Sequence, residues 1–112
     1  LVNKLLIVWT TEEIEVAKKC ILLYGSVALE RGYWDQIHLM VWGPSARLIA
    51  HNKEIQSMVK NVLATGVEAS VCVVCSEEYG VTESLHLLGI NPMHTGELLT
   101  TALKEDWKTI TF

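Results

Sequence analysis

The chain has 112 residues, 50% of them apolar and 20% charged, with a formal net charge of -4 at pH 7. That length suits one domain over residues 1–112 with no linker, and the scattered Lys and Arg residues offer no basic stripe for phosphates, so nucleic acid is not expected as a direct ligand. The longest apolar runs fall far short of the roughly 20 residues that span a bilayer, so no membrane association is expected either. No signal-peptide pattern opens the sequence, which begins at Leu1 rather than Met, and a cytoplasmic location is the expectation.

"KLLIVW", residues 4–9, is continuously apolar, the pattern of a strand covered on both faces in a parallel sheet. Thr10 or Thr11 then offers an N-cap oxygen, with Glu12 and Glu13 in the positive first turn, so a helix is predicted from about residue 12 to Arg31, ending at Gly32. It carries two stripes. Ile14, Ala17, Ile21, Tyr24 and Ala28 form one, and Val16, Cys20, Leu23 and Val27 the other. One stripe faces the sheet; the second either widens that face or meets another subunit, and the apolar surplus of so small a chain favours an oligomer.

"QIHLMVWG", residues 36–43, is the second strand, and "GPS" follows, with Pro44 suited to a helix start. A short helical turn to about Ala50 is predicted, then an amphipathic helix on Ile55, Met58, Val59, Val62 and Leu63 that ends at Gly66. "EASVCVV", residues 68–74, reads as the third strand. Gly80 breaks a short helical turn, Thr82 opens a helix through Leu88, and "NPM" (91–93) is a brief fourth strand or an extended link. Residues 97–105 form a last helix. "WKTITF" (107–112) suits a strand at or near a sheet edge.

Strands alternating with helices specify an α/β chain, three-layer α/β/α, with a mainly parallel sheet of about five strands. In such sheets working groups collect beyond the carboxyl ends of the strands. Three loops are singled out on that ground: Thr10 and Thr11 leading to Glu12, Gly43 to Ser45, and Cys72 to Gly80.

The last of these holds the chemistry. With strand three ending near Val74, Cys72 lies by its carboxyl end and Cys75 enters the turn beside backbone N–H groups, which stabilise a thiolate. Glu77 and Glu78 act in the opposite sense. Three cysteines, an odd count, fit reduced thiols rather than a disulfide framework. Cys72 and Cys75 are therefore either reactive thiols or small hydrophobes of a Val-rich strand, and Cys20 fits a structural place. Cys20 and the four histidines, His38, His51, His86 and His94, show no ligand spacing that completes a zinc site, so no metal and no cofactor are expected. Of the histidines, His94 before "TGE" is the one placed to reach the same sheet edge. The four tryptophans are expected in core and interface. Phosphate loops, nucleophile elbows and zincin motifs are missing from the sequence.

The opening "KLLIVWT", "VWGPSARLI", "VCVVCSEEYGV", "TGELLT" and the closing "WKTITF" together resemble the DsrE/DsrF-like family over almost the whole chain. The most specific element is a Cys eight residues before the Gly of a "GV" pair with a second Cys three later, met here by Cys72, Gly80 and Cys75. The resemblance implies an α/β/α fold assembled as trimers or hexamers. It also implies a sulfur carrier in which Cys72 accepts sulfane sulfur as a persulfide, Cys75 assists, and donor and acceptor proteins are the partners. The competing expectation is a non-enzymatic oligomeric module that binds a small ligand at the strand ends. There Thr10, Thr11, Gly43, Ser45 and Gly80 would form the site, with Cys72 and Cys75 as structural residues.

Overall fold

A computed structural model describes residues 2–112. Five strands, β1 (Lys4–Trp9), β2 (Gln36–Val41), β3 (Glu68–Cys72), β4 (Ile90–Met93) and β5 (Lys108–Thr111), form one sheet in the order β4-β3-β2-β1-β5. Every pairing is parallel. The fold is thus the expected three-layer α/β/α arrangement. The apolar run of β1 is explained by its central place, since Leu5, Leu6, Ile7, Val8 and Trp9 are all buried between two layers.

The strand order decides which face each helix covers. From β1 to β4 the chain steps one way across the sheet, and a right-handed crossover then puts the connecting helices on one face. These are α1 (Ile14–Val16, Ala17–Leu22 and Leu23–Val27 in succession), α2 (Ser45–His51), α3 (Lys53–Ala64), α4 (Val73–Glu78) and α5 (Thr82–Leu87). From β4 the chain returns across the whole sheet to β5 beside β1, so the same handedness sends α6 (Thr95–Lys104) over the opposite face. The two cores follow. Leu5, Ile7, Trp9, Leu39, Val41 and Val71 pack under α1, α2, α3 and α5, whereas Leu6, Val8 and Met40 pack against Ala102 of α6, with Leu98, Leu99 and Trp107 around them.

Several expectations need correction. The first helix is capped by Glu13, whose carboxylate accepts from Glu15 N, while the Thr11 hydroxyl accepts from Glu13 N at 2.9 Å. Its middle, Ala17–Leu22, is π-helical. A wider turn shifts the register of everything after it. The buried face therefore passes from Ala17 and Ile21 to Leu22, Gly25 and Ala28, and Tyr24, predicted on the sheet face, is 39% exposed. Strand β3 stops at Cys72 rather than Val74, and α4 starts at once with Val73. "NPM" belongs to a true strand, β4; Pro92 is tolerated because β4 is an edge strand and needs no second ladder of N–H donors. The last helix starts at Thr95, two residues before its predicted beginning.

Candidate functional site

Cys72 is the last residue of β3 and the N-cap of α4, with φ -59° and ψ 115°. This abrupt change from strand to helix turns the first N–H groups of α4 back towards the Cys72 sulfur. Cys72 is 8% exposed, Cys75 is half-buried and Cys20 lies on the surface, all three as free thiols. Burial pushes the Cys72 thiol up, but the Cys75 N–H, the Cys75 thiol, the Thr95 hydroxyl and the Val74 N–H are placed to donate to the ionised sulfur, and together they bring it below the ordinary thiol value. Cys75 moves the other way. Burial raises it, and so does giving its proton to Cys72, whereas the Gly43 N–H works against the rise; the Cys72 charge and Glu78 add to it. The pair is thus polarised: Cys72 is the readier of the two to ionise and Cys75 the readier to keep its proton.

Thr95 comes from the opposite side of the sheet. It is 1% exposed, and its hydroxyl has no settled hydrogen-bond partner. The group it faces is the Cys72 sulfur, which becomes its acceptor on ionisation. His94, the N-cap of α6, makes no side-chain capping bond, so the Thr95 and Gly96 N–H groups are left uncapped, while the Glu97 N–H donates to His94 O at 3.1 Å. The cleft there is about 890 Å³ and is lined by Trp42, Cys72, Val74, His94, Thr95 and Glu97.

This location has a topological cause. The connection leaving β3 runs on one face of the sheet and that leaving neighbouring β4 on the other, so the two loops part and open a crevice beyond the strand ends. Cys72 ends one of these strands and His94 follows the other.

The remaining expected residues fare differently. Gly43 is brought in, through its N–H on Cys75. Ser45 is fully buried and donates its hydroxyl to Trp9 O, with Trp42 O at 3.3 Å, which locks the end of β2 to β1. The Thr10 hydroxyl donates to Phe112 O at 2.8 Å, tying the chain's end to the sheet. Thr11 serves the start of α1. Gly80, at φ 69°, allows the chain to leave α4 at the end far from Cys72. Arg47 is held by Glu12 in a two-pronged ion pair, and its guanidinium lies 4.9 Å from the centre of the Tyr79 ring, so it does not serve the thiols. Thr95, Trp42 and Glu97 were missed by sequence reasoning. Thr95 and Glu97 are brought in by the return of the chain from β4 to a strand beside β1, which makes the β4 loop one wall of the crevice and which no local sequence pattern carries.

Among the described residues no group of three or more His, Cys, Asp or Glu side chains could hold a metal ion, and no helix is long and apolar enough to cross a membrane. The site is thus a thiol at a strand end whose surroundings favour ionisation, open on one side to a cleft.

Comparison with known proteins gives a consistent result. The profile of the DsrE/DsrF-like family matches residues 15–112. A conserved protein of unknown function, BT1422 from Bacteroides thetaiotaomicron, superposes with a TM-score of 0.95 at 30% identity, covering 98% of this chain and 95% of its own. The ychN protein from E. coli shares the fold at a TM-score of 0.71 and 16% identity, with 100% of both chains covered. No match was found among curated proteins. The family match over most of the sequence, with the close superposition on BT1422, shows that the chain belongs to the DsrE/DsrF-like family.

Proposed function

We propose that the protein is a sulfur carrier working through a persulfide on Cys72. The observation that supports this reading is the cradle around that sulfur: two N–H groups of α4, the Cys75 thiol and the otherwise unpartnered Thr95 hydroxyl surround it and favour its ionised form. Family membership supports a sulfur-relay role in general terms.

The Cys72 thiolate attacks the outer, sulfane sulfur of a donor R–S–SH. A bond forms between the Cys72 sulfur and that sulfur while the donor's S–S bond breaks, giving Cys72–S–SH and R–S⁻. An acceptor thiolate then attacks the outer sulfur and restores the Cys72 thiolate. Cys75 supplies the alternative exit: after losing its proton, it attacks the inner sulfur, releasing hydrosulfide and leaving a Cys72–Cys75 disulfide. The donor is a protein that presents a persulfide to the cleft, and the acceptor is one that presents a thiol. The working form is a cytoplasmic homo-oligomer, which the apolar surplus favours, and a trimer or hexamer is the assembly that the family resemblance implies.

Intact-mass spectrometry of the reduced protein after treatment with a sulfane-sulfur donor tests this reading. A labile gain of one sulfur atom is expected, lost in Cys72→Ala and kept, for longer, in Cys75→Ala. If several donors leave no adduct and the native thiols alkylate slowly, the chain is instead a ligand-binding module with structural cysteines.

A further inference from the structure

We propose that the groove between α1 and the β5 edge is a second binding site, one that takes an organic anion with an extended, planar apolar body. It lies across the sheet from Cys72, since β5 and β3 are separated by β1 and β2. The proposal is therefore independent of the sulfur chemistry.

The groove exists because of the π-helical segment of α1. The register shift after Ala17–Leu22 turns Tyr24 away from the sheet and aligns it with Cys20 and Leu23 along the outer face. Leu5, Ile110 and Phe112 close the other side, enclosing about 750 Å³. Small-molecule sites span roughly 300–1,000 Å³ and are lined mainly by apolar and aromatic groups. Leu23, Tyr24, Tyr33 and Ile110 remain 56, 39, 49 and 45% exposed within it.

Its walls are held in place before anything binds. The Tyr24 and Tyr33 rings stack at 6.2 Å between centroids with 25° between their planes. Trp34 Nε1 donates to Tyr24 Oη at 2.8 Å, and Arg31 Nη1 to Tyr33 Oη at 3.4 Å. A fixed set of aromatic faces suits a flat apolar body and lowers the ordering cost of binding one.

The charge specifies the other half of the ligand. Although the chain carries a net charge of -4, the charged side chains lining the groove are Lys19 and Arg31, both cationic. Among the described residues the close carboxylate pairs are made by Lys18, His38 and Arg47; Lys19 and Arg31 are in none of them, and the Glu30 charge acts on Arg31 without forming a close pair. Arg31, at the end of the tyrosine pair, presents a planar fork suited to a carboxylate, sulfonate or phosphate head. The same charges disfavour a two-fold pairing of this surface with itself, which would bring Lys19 and Arg31 of the two copies together.

Anilinonaphthalene sulfonate and its uncharged parent N-phenylnaphthylamine are the probes, titrated into the wild-type, Lys19→Gln and Arg31→Gln proteins. The sulfonate should bind one per chain, with about a tenfold loss of its preference over the uncharged parent in Arg31→Gln and a smaller loss in Lys19→Gln. Cys20 reports the location. In a Cys72→Ser, Cys75→Ser background, saturating sulfonate should slow its reaction with iodoacetamide by about tenfold, as expected for a thiol whose access is blocked. A Cys20 rate unchanged by the probe, or an undiminished sulfonate preference in Arg31→Gln, overturns the proposal. So does a Cys20 already shielded in the unliganded protein and freed on dilution as sedimentation shows the protein dissociating, because a second copy would then fill the groove.

Discussion

At the scale of single residues, the division of labour between Cys72 and Cys75 depends on donors rather than on nearby cations. Thr95 is the one donor that sequence separation hides: it lies 23 residues beyond Cys72 and reaches it only because α6 starts at the strand neighbouring β3. Replacing its hydroxyl by a methyl in Thr95→Val removes a bond to an ionised sulfur with little change in volume. The pH profile of Cys72 alkylation by iodoacetamide, read by peptide mass, should move to higher pH, and the rate at pH 7 should fall by about tenfold, as expected for one charge-assisted hydrogen bond. Thr95→Ser should remain close to wild type; a Thr95→Val profile that overlays it would remove Thr95 from the cradle. The stability consequence has a definite sign. Because the folded Cys72 thiol lies below its ordinary value, its thiolate contributes stability that is fully present above the unfolded thiol pKa and is lost as pH falls through the folded one. Cys72 and Cys75 were legible because Cys-x-x-Cys at the end of an apolar run is a local pattern. Ser45 and Thr10 looked like site residues by the same local logic, but the backbone carbonyls of Trp9 and Phe112 use their hydroxyls.

At the scale of elements, β1, β2 and the helix ending at Gly66 followed from local periodicity, and errors arose where a long-range or non-standard feature intervened. Helical spacing assumes 3.6 residues per turn, so a π segment in α1 misassigned Tyr24 although Ala17, Ile21 and Ala28 were placed correctly. The crevice between β3 and β4 needs the full strand order, which no local signal carries. Pairing between β2 and β3 also creates a polar contact that sequence alone left unpartnered: His38 Nε2 lies 2.8 Å from Ser70 Oγ, and His38 Nδ1 is 4.0 Å from a Glu68 carboxylate oxygen. Burial lowers the His38 pKa more than the Glu68 charge raises it, so the folded state favours the neutral ring. The unfolded chain then binds more protons in the window between the folded pKa and 6.5, and folding stability must fall as pH drops through that window. Urea denaturation of wild type and His38→Gln from pH 8 to pH 5 should show a difference that is flat above about pH 7 and shifts against the wild type below the ordinary histidine range. A difference independent of pH would mean that His38 does not titrate across folding.

At the scale of the whole molecule, two surfaces of opposite character lie on either side of one sheet. The α1–β5 groove carries cations in an acidic chain, whereas the Cys72 cleft is lined by Glu97 and Glu78 acts on the adjacent Cys75. The donors at Cys72 are short-range dipoles, and the field farther out is that of a body with net charge -4. A reagent approaching from solution therefore meets repulsion if it is an anion and then a site that favours negative charge on the sulfur itself. Comparing iodoacetate with neutral iodoacetamide separates the two effects, since both alkylate the same sulfur. Raising salt from 0.02 to 0.5 M should increase the iodoacetate rate at Cys72 by about two- to fivefold and leave the iodoacetamide rate nearly unchanged, because screening acts only on the charged approach. Equal salt responses would mean that the N–H groups at the strand end dominate out to the mouth of the cleft. Sulfur donors would then be chosen by shape alone. For the proposed sulfur carrier, the expected split makes small dianionic donors such as thiosulfate poor ones and favours a sulfane sulfur brought in on a protein surface whose cations answer Glu97 and Glu78.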